Sequence, residues 1–454
     1  MKNYIILLLT AFLFYSCIQK PGANALTGES TTTIGIKKIY PLKDYQKDFK
    51  KMVRKMVRKH PQPYAFISEE DLNNLIDHQY EKITDSTTLG GFLWICQEVV
   101  TAINCGHTYI WSEELDHLPK SMLFPLNVRY EGTKLYIIDP KNNSDMLSAG
   151  DEILTINGVD VEALRKEIFT HLPSDGYNET NKKENANVYF RYMCAMFYNF
   201  PVSFTVSVKQ NGKVQKVKLK EAENLEPTKT FLDDCENNLC FDMDNESNTA
   251  VITIRSFGYY KKRFPIFKLF IDSCFTQIKN DKVQNVIIDL RNNGGGNPYC
   301  GSYLLRHFAD NPFTYFHKDV WRYSKLKKTI QPIPNESKNK PYILINGKCF
   351  STTGHFCSLV KENNLGIFVG EETGATYTCN DNSKNYTLKN TDLSLRVARR
   401  IYKTTAGTLT SKHGILPDHR VIPDIDNFLN NTDTVLSYTL RLIEKASNIK
   451  SATN

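Results

Sequence analysis

Apolar residues recur at helical spacing through much of residues 41–115. The stretch KDYQKDFKKMVRKMV and the stretch from Leu89 to Ile103 place apolar side chains three or four positions apart, which indicates amphipathic helices. Pro61 and Pro63 interrupt the first helix, because proline removes a helical hydrogen bond and clashes with the preceding turn. Ser68, followed by three acidic residues, is typical of a helix N-terminus. The pattern therefore predicts a helical N-terminal region over residues 41–115.

Residues 116–225 carry the two-residue alternation that is typical of strands. Two alternating runs flank the Glu-Gly dipeptide at 131–132, and two more flank the Asn-Gly dipeptide at 211–212, which favours a tight hairpin turn. Between them, the sequence GDEILTING precedes a helical pattern over residues 161–171. We expect a separate β-rich domain here.

From residue 226 to residue 454 the chain alternates short apolar runs with amphipathic stretches. The apolar runs predict buried strands, and the stretches between them predict crossover helices. Strands are predicted at 250–255, 283–290, 342–347 and 366–370, helices at 265–278, 298–308, 352–362 and 432–446, and a hairpin at 384–403. The predicted fold class is α/β and multidomain, with a helical N-terminal region, a β-rich domain and an α/β core.

The first residues carry the pattern of an export signal. The apolar run from Tyr4 to Tyr15 has 12 residues, whereas a membrane-spanning helix needs about 20. Cys17 follows directly, which resembles a bacterial lipoprotein signal in which this cysteine is lipidated. We expect residues 1–16 to be a signal peptide and residues 17–40 a flexible tether; an ordinary cleaved signal is the alternative.

Composition narrows the function classes. Hydrophobic residues make up 41% and charged residues 23% of the chain, as in ordinary globular proteins. The formal net charge of +8 is spread over the chain without a long basic run, so we expect no nucleic-acid partner. None of the 11 cysteines forms a C-x-x-C pair, and we expect neither a metal nor a cofactor. Cys235 and Cys240 are close enough to form a disulfide, although spacing leaves this pairing open.

Three segments place reactive groups at turns beside predicted strands. Gly294 to Gly296 can present backbone N–H groups to an oxyanion or a phosphate, or form a plain turn. Ser351 lies between a strand and a helix, where it is either a nucleophile at the positive end of the helix dipole or an N-cap. His107 lies in a glycine turn and is either a general base or a structural histidine.

Together these segments resemble the S41 peptidases, which include the tail-specific processing proteases and the tricorn-core proteases. The matching motifs stand in the family's order: GHT at 106–108, GDEILTING at 150–158, DLRNNGGGN at 289–297, FSTTG at 350–354, GEET at 370–373 and GILPD at 414–418. GDEILTING with its following helix is similar to a PDZ domain, a fold that binds peptides by strand addition. Whether this domain binds peptide is left open.

The resemblance implies roles for individual residues. It makes Ser351 the nucleophile, and it forms the oxyanion hole from the N–H of Thr352 and an N–H of the Gly294, Gly295 and Gly296 loop. Within that loop, Gly295 is favoured as the donor. The resemblance places the nucleophile and the oxyanion hole in the α/β core, over residues 226–454.

The family's branches differ in their general base. Tail-specific proteases use a lysine shortly after the GExT-like segment, but Gly374 to Thr378 contains no lysine. The tricorn-like branch uses an upstream histidine, so the resemblance implies that His107 is the general base and acid. Glu371 and Asp418 are candidates for the acid that orients this histidine, and each has a structural role as its alternative. His355 is a rival base or, alternatively, a helix-surface histidine.

The resemblance implies an exported serine peptidase that hydrolyses peptide bonds through an acyl-enzyme. Its expected partners are a peptide or protein substrate and a membrane, held through the lipid anchor. The expected location is the bacterial cell envelope, as a lipoprotein facing the periplasm or the surface. The alternative is a non-catalytic peptide- or ligand-binding protein with a protease-like fold. The oligomeric state is left open.

Overall fold

The computed structural model describes residues 35–227, 231–233, 235, 237–244, 246–334 and 340–453. The predicted signal peptide, the lipidation site Cys17 and most of the predicted tether lie outside these ranges. Within them, no helix is long and apolar enough to cross a membrane.

The N-terminal region consists of three helices and one short strand, as the helical spacing predicts. Their bounds are α1 Leu42–Lys59, α2 Glu69–Glu81, α3 Leu89–Thr101 and β1 Tyr109–Trp111. The first helix ends at Lys59, directly before the His-Pro break. The Ser68 side chain accepts a hydrogen bond from the Asp71 N–H at 3.0 Å, which confirms the predicted N-cap of α2.

The β-rich domain forms around an antiparallel sheet. Its elements are β2 Asn127–Glu131, β3 Lys134–Asp139, β4 Glu152–Ile156, β5 Val159–Asp160, α4 Val161–Thr170, α5 Glu179–Phe197, β6 Thr205–Gln210 and β7 Lys213–Lys218. The strand order is β2-β3-β4-β6-β7, and β5 pairs with β4. The predicted hairpins and α4 are confirmed. The long helix α5 was not predicted, because its first half, ETNKKENANV, lacks an apolar repeat.

The remaining elements build the α/β core. They are β8 Leu239–Asp244, β9 Thr249–Ile254, α6 Phe264–Asn280, β10 Asn285–Asp289, α7 Pro298–Leu305, β11 Tyr342–Ile345, α8 Thr352–Glu362, β12 Ile367–Gly370, β13 Thr378–Asp381, β14 Lys384–Thr387, β15 Ser394–Val397, β16 Arg400–Lys403, β17 His419–Arg420, α9 Ile425–Leu429 and α10 Thr434–Thr453. The main sheet has the order β17-β12-β11-β10-β9-β8. All of its neighbouring pairs are parallel except β8 with β9.

Helices cover both faces of the main sheet. Alternating side chains point to opposite faces, so Ile287 packs towards α10 whereas Ile288 packs towards α6, α7 and α8. This arrangement confirms the α/β core with crossover helices. The segment before β8 is closed by a disulfide between Cys235 and Cys240, the pairing that spacing alone left open.

The segment predicted as one hairpin over residues 384–403 is more elaborate. β14 and β15 form a hairpin, whereas β16 pairs with β13, a strand that was not predicted. β15 also pairs with β1, so the core adds two strands to the N-terminal region. The turn of this hairpin is held by the buried carboxylate of Asp48 in α1, which accepts hydrogen bonds from Asn390 and Thr391 at 2.9 Å. This pairing brings the His107 turn against the α/β core.

Candidate active site

Ser351 occupies a sharp turn between β11 and α8. Its backbone dihedral angles are φ 54° and ψ −119°, a region that non-glycine residues rarely adopt. Its side chain makes no hydrogen bond that caps α8, so the N-cap alternative is not realised. Ser351 is partly exposed at the start of an otherwise buried helix. The hydroxyl therefore lies at the positive end of the α8 dipole without capping the helix.

The glycine loop lies directly against this turn. A side chain at Gly295 would approach the Phe350 carbonyl oxygen to 2.6 Å and the Thr352 nitrogen to 2.8 Å. The Thr352 hydroxyl donates to the Gly296 carbonyl at 2.7 Å. Backbone contact this close requires glycine, so the loop and the Ser351 turn form one unit.

Some backbone N–H groups of this unit are already hydrogen-bonded, whereas others are available to an oxyanion. The Gly295 N–H, which we favoured as an oxyanion donor, donates to Asn293 Oδ1 at 2.9 Å. The N–H groups of Gly294, Gly296 and Thr352 make no hydrogen bond within the described ranges. Gly294 is exposed, and the space beside its Cα is open.

A buried ion-pair network holds the glycine loop from behind. Arg291 forms hydrogen bonds to Asp289 at 2.7–3.0 Å and to Asp433, just before α10, at 2.6–2.7 Å. Burial alone would raise the pKa of Asp289, but the Arg291 and Arg255 guanidiniums hold it well below its usual range. The charged residues of the DLR motif thus anchor the loop to the sheet and to α10.

His107 lies in the turn between α3 and β1. Its ring packs on the Phe350 ring with centroids 4.9 Å apart, so it borders the residue next to Ser351. Its Nε2 lies 3.9 Å from Asp381 Oδ2, and its buried Nδ1 has no hydrogen-bond partner. Ser351 and His107 share no hydrogen bond among the residues that the structure describes.

Two carboxylates that the sequence analysis did not select lie at the His107 turn. Asp381, at the end of β13, faces His107 and also lies 3.7 Å from Arg396. Burial would raise the pKa of Asp381, but His107 and Arg396 lower it below its ordinary value. Asp175 accepts a hydrogen bond from the Gly106 N–H at 2.8 Å, and burial raises the pKa of Asp175 to about 6.

Little in the sequence marks these two acids. Asp175 comes from the connection before α5, and Asp381 follows a strand that the pattern did not reveal. The only available signal was an acid within a polar turn, NDNS, which is common in ordinary loops.

The two acids proposed from sequence lie elsewhere. Glu371 forms a buried ion pair with Lys183, with oxygen-to-nitrogen distances of 2.5 and 2.7 Å. Asp418 forms an ion pair with Lys361 and accepts from the Phe368 N–H at 2.8 Å. Neither makes a hydrogen bond or an ion pair with His107 in the described ranges.

His355 is buried rather than at the helix surface. Its Nε2 lies 3.5 Å from the Cys379 thiol, and the Ser351 hydroxyl interacts with the same thiol. Burial is the main cause that lowers the pKa of His355 to about 3, and the charge of His107 contributes to the same shift. A base with this pKa is a poor acceptor for a serine proton near neutral pH, which disfavours His355 as the rival base.

A cleft of about 540 Å³ opens beside these residues. Its lining includes Cys379, which touches Ser351, and Asp175, which holds the His107 turn. Ser351 and His107 are not themselves among the residues that line this cleft, which borders the site through Cys379 and Asp175.

Comparisons with known proteins agree with this fold. Mature CPAF complexed with lactacystin has a TM-score of 0.63 and 13% identity, covering 89% of this chain and 98% of CPAF. A second structure of mature CPAF has a TM-score of 0.62 and 13% identity, covering 88% of this chain and 96% of the other. At this identity, the likeness establishes a shared fold. No curated protein sequence matches the chain.

A family model extends the finding from fold to family. The model described as peptidase family S41 matches residues 248–421, which contain the glycine loop, Ser351 and β13. This segment, 174 of the 454 residues, matches peptidase family S41, which is a family of serine-type peptidases.

Proposed function

We propose that this chain hydrolyses peptide bonds through an acyl-enzyme on Ser351. The observation that supports this most strongly is the backbone of Ser351, at φ 54° and ψ −119°. Such a conformation costs about 1–3 kcal/mol and persists only where the surroundings enforce it, commonly at active sites. Here the uncapped Ser351 lies against the glycine loop at the turn between a strand and a helix, as in a nucleophile elbow.

In this mechanism His107 accepts the Ser351 proton as the hydroxyl oxygen attacks the substrate carbonyl. Asp381 lies beside the Nε2 atom of His107. The His107 Nδ1, which has no hydrogen-bond partner among the described residues, is therefore the nitrogen that accepts this proton. The N–H groups of Thr352, Gly294 and Gly296, which make no other hydrogen bond within the described ranges, stabilise the tetrahedral oxyanion. His107 then returns the proton to the leaving amine, and water cleaves the acyl-enzyme by the reverse sequence.

The test compares catalytic variants with matched surface variants. Ser351→Ala and His107→Asn are each expected to lower kcat/KM for a cleaved peptide by roughly 10⁴-fold or more. Ser86→Ala and His117→Asn change exposed residues of the same types and should remain at wild-type activity. A fluorophosphonate probe should label the wild type and not Ser351→Ala. Full hydrolysis by both catalytic variants would refute the mechanism and favour a different nucleophile; absence of hydrolysis and labelling in the wild type would favour the non-catalytic alternative.

The role of Asp381 has its own readout. Asp381→Asn keeps the size of the side chain but removes the charge that stabilises protonated His107. We expect kcat to fall by roughly 10²–10⁴-fold with KM little changed. Arg396→Gln removes the other charged neighbour of Asp381 and serves as the comparison, since its guanidinium lies 3.7 Å from the carboxylate. An Asp381→Asn enzyme with wild-type kcat across the pH range would exclude Asp381 from orienting His107.

The proposal includes export and a lipid anchor. It is supported by the short apolar run before Cys17 and by the polar stretch that follows it. Cys17→Ala should move the protein from the membrane fraction to the soluble fraction of the cell envelope and abolish labelling with a radioactive fatty acid. Continued membrane association and labelling of that variant would refute the anchor.

A further inference from the structure

We infer that the outer face of the first two turns of α6, together with the turn before it, docks onto an anionic phospholipid membrane. This face carries three exposed apolar side chains and three exposed cations, which we call the α6 surface: Tyr260, Lys261, Lys262, Arg263, Ile266 and Leu269. Such docking would determine how the chain is held in the cell, and it does not require hydrolysis.

The apolar side chains of the α6 surface point away from the core. Tyr260 is 51% exposed, Ile266 54% and Leu269 69%. Ile266 and Leu269 are neighbours on one face of the helix, because they are three positions apart. The opposite face packs Phe267 and Ile271 into the core. The outer face of a helix in a soluble protein is normally polar, so an adjacent Ile and Leu indicate a contact surface.

This apolar exposure is confined to the beginning of α6. The exposed side of the helix continues with Ser273, Thr276 and Gln277, none of which is apolar. The exposed apolar side chains therefore lie only at the end of the helix that adjoins the three cations.

The cations of the α6 surface have no acidic partner. Lys261, Lys262 and Arg263 form no ion pair within the described ranges, and all three are exposed. The Arg263 guanidinium instead lies 4.9 Å from the centre of the Tyr259 ring. A contact with an aromatic ring restrains the cation without neutralising its charge, so this charge remains available to an anion.

The surface beside these cations is also basic. Lys268 and Arg306 both lie over the Tyr303 ring, at 4.9 and 5.5 Å from its centre. Asp272 is the one acid in α6, and it accepts a hydrogen bond from the Tyr303 hydroxyl at 2.6 Å and lies 3.5 Å from His307 Nε2. The charge around the α6 surface is therefore positive.

An anionic membrane fits this combination of side chains. Proteins that lie on a membrane insert aliphatic and aromatic side chains at the headgroup level, and their Lys and Arg residues are attracted to anionic lipids. Tyrosine is enriched at this interface because its ring is apolar and its hydroxyl is polar. A second copy of the chain docking through the same surface would instead bring like charges together, which disfavours self-association.

The proposed lipid anchor allows the α6 surface to reach the membrane. The segment from Cys17 to Gly35 can span at most about 60 Å, which is roughly the width of a domain of this size. An anchor of this length leaves open which face of the protein lies on the lipid. The α6 surface would select one face.

The α6 surface also follows the candidate active site closely along the chain. The Phe257 N–H donates to the Gly295 carbonyl at 3.0 Å, and the Phe257 carbonyl accepts the Asn297 N–H at 2.9 Å. Tyr260 comes three residues later. A chain docked in this way would hold the glycine loop close to the membrane. Under the proposed function, its substrate would then be a peptide segment near the lipid surface.

Vesicle binding tests the inference without the lipid anchor. The protein is the chain of residues 18–454, which lacks the predicted signal peptide and Cys17 but keeps every residue that the structure describes. Co-sedimentation is measured with vesicles of phosphatidylcholine alone and with vesicles that contain an equal part of phosphatidylglycerol. Each cation at an anionic surface strengthens binding roughly fivefold, so three cations should give a preference of roughly 100-fold for the anionic vesicles at about 0.1 M salt. Most of this preference should be lost at about 1 M salt, because the Debye length falls to about 3 Å.

Two variants change the α6 surface at exposed positions. The triple variant Lys261→Gln, Lys262→Gln, Arg263→Gln should lower binding to the anionic vesicles by at least about tenfold. The double variant Ile266→Gln, Leu269→Gln keeps every charge and should also lower this binding by at least about tenfold, because it removes the apolar side chains that would enter the lipid.

Helix α1 provides the matched control. All of its exposed side chains are Lys or Arg, so it is basic without an exposed apolar residue. The triple variant Lys43→Gln, Arg54→Gln, Arg58→Gln removes as many charges as the α6 triple variant and should bind the anionic vesicles within about twofold of the unchanged chain.

Three results would overturn the inference. The first is no binding to anionic vesicles. The second is an equal loss of binding in the α1 and α6 triple variants, which would indicate general attraction of a basic protein. The third is dimerisation in solution that the Ile266→Gln, Leu269→Gln variant loses, which would assign the surface to a second copy. Ser351→Ala should bind vesicles as the unchanged chain does, so failure of the peptidase mechanism would leave the membrane surface in place.

Discussion

His355 should make the protein sensitive to acid, and His355→Gln should remove part of that sensitivity. The residue is 3% exposed and lies within the core, beside the Cys379 thiol. Burial is the main cause that lowers the pKa of His355 from 6.5 to about 3, and the charge of His107 adds to it. The folded protein therefore holds this histidine neutral under conditions in which the unfolded chain protonates it.

The size of the effect follows from proton linkage. A histidine with a lowered folded pKa contributes stability that is complete above the unfolded pKa, about 6.5, and is lost as the pH falls towards 3. At pH 5 the unfolded chain binds nearly one proton at this position and the folded protein binds almost none. The free energy of unfolding should therefore fall by about 2 kcal/mol between pH 8 and pH 5 because of His355 alone.

The assay is urea unfolding at pH 8 and pH 5, followed by circular dichroism. His355→Gln will be less stable than the wild type at pH 8 if its amide packs poorly, but its loss between pH 8 and pH 5 should be smaller by about 2 kcal/mol. His117→Gln, at an exposed position, should leave the pH dependence unchanged. Equal losses for the wild type and His355→Gln would refute the reasoning.

Three further predictions concern the support of the site. Asp48→Ala leaves the hydrogen-bond donors of Asn390 and Thr391 without their acceptor, so the free energy of unfolding in urea should fall by roughly 2–3 kcal/mol. An unchanged urea midpoint would refute this prediction. Burial raises the pKa of Asp175 to about 6, so ionising it as the pH rises from about 4 to above 6 costs the wild type stability that Asp175→Asn does not lose. Over this range the free energy of unfolding of the variant should rise by up to about 3 kcal/mol relative to that of the wild type. Parallel plots of unfolding free energy against pH would contradict this. Gly295→Ala forces a side chain against backbone at φ 96° and should lower thermal stability and activity sharply, whereas Gly294→Ala, with open space, should leave the melting temperature near the wild-type value.

The regular elements of the core were predictable because their periodicity is strong. Strands such as Tyr342–Ile345 are apolar on both faces, and α8 has the bounds that the sequence predicted. Helix α5 could not be predicted, because polar contacts with other parts of the chain stabilise it and no apolar repeat marks it. Its N-cap Asn178 accepts the Asn181 N–H at 2.7 Å, and the Asn181 side chain bonds the Gly347 carbonyl. Such polar docking leaves no periodic signal in a single sequence.

The candidate site likewise contains some residues that the sequence could reveal and others that it could not. Ser351 and the glycine loop could be found because a strand, a turn and a helix follow one another along the chain. The acid beside His107 could not, since it depends on β15 pairing with β1 and on β13 pairing with β16 across long stretches of chain. The sequence therefore pointed to Glu371, whose motif is prominent but whose carboxylate pairs with Lys183.

The Ser351 turn and the His107 turn are held in place by different contacts, so a substitution can displace one of them and leave the other in place. Ser351 is fixed by bonds within the core, such as the Phe350 N–H to the Asn293 carbonyl at 3.0 Å. The His107 turn depends on the hairpin that Asp48 ties to α1, because β15 pairs with β1 directly after the turn. Loosening that tie should therefore displace the base while leaving the Ser351 turn in place. Asp48→Ala should lose hydrolysis more steeply than it loses thermal stability of the α/β core, and an equal loss of both would mean that the two halves unfold as one unit.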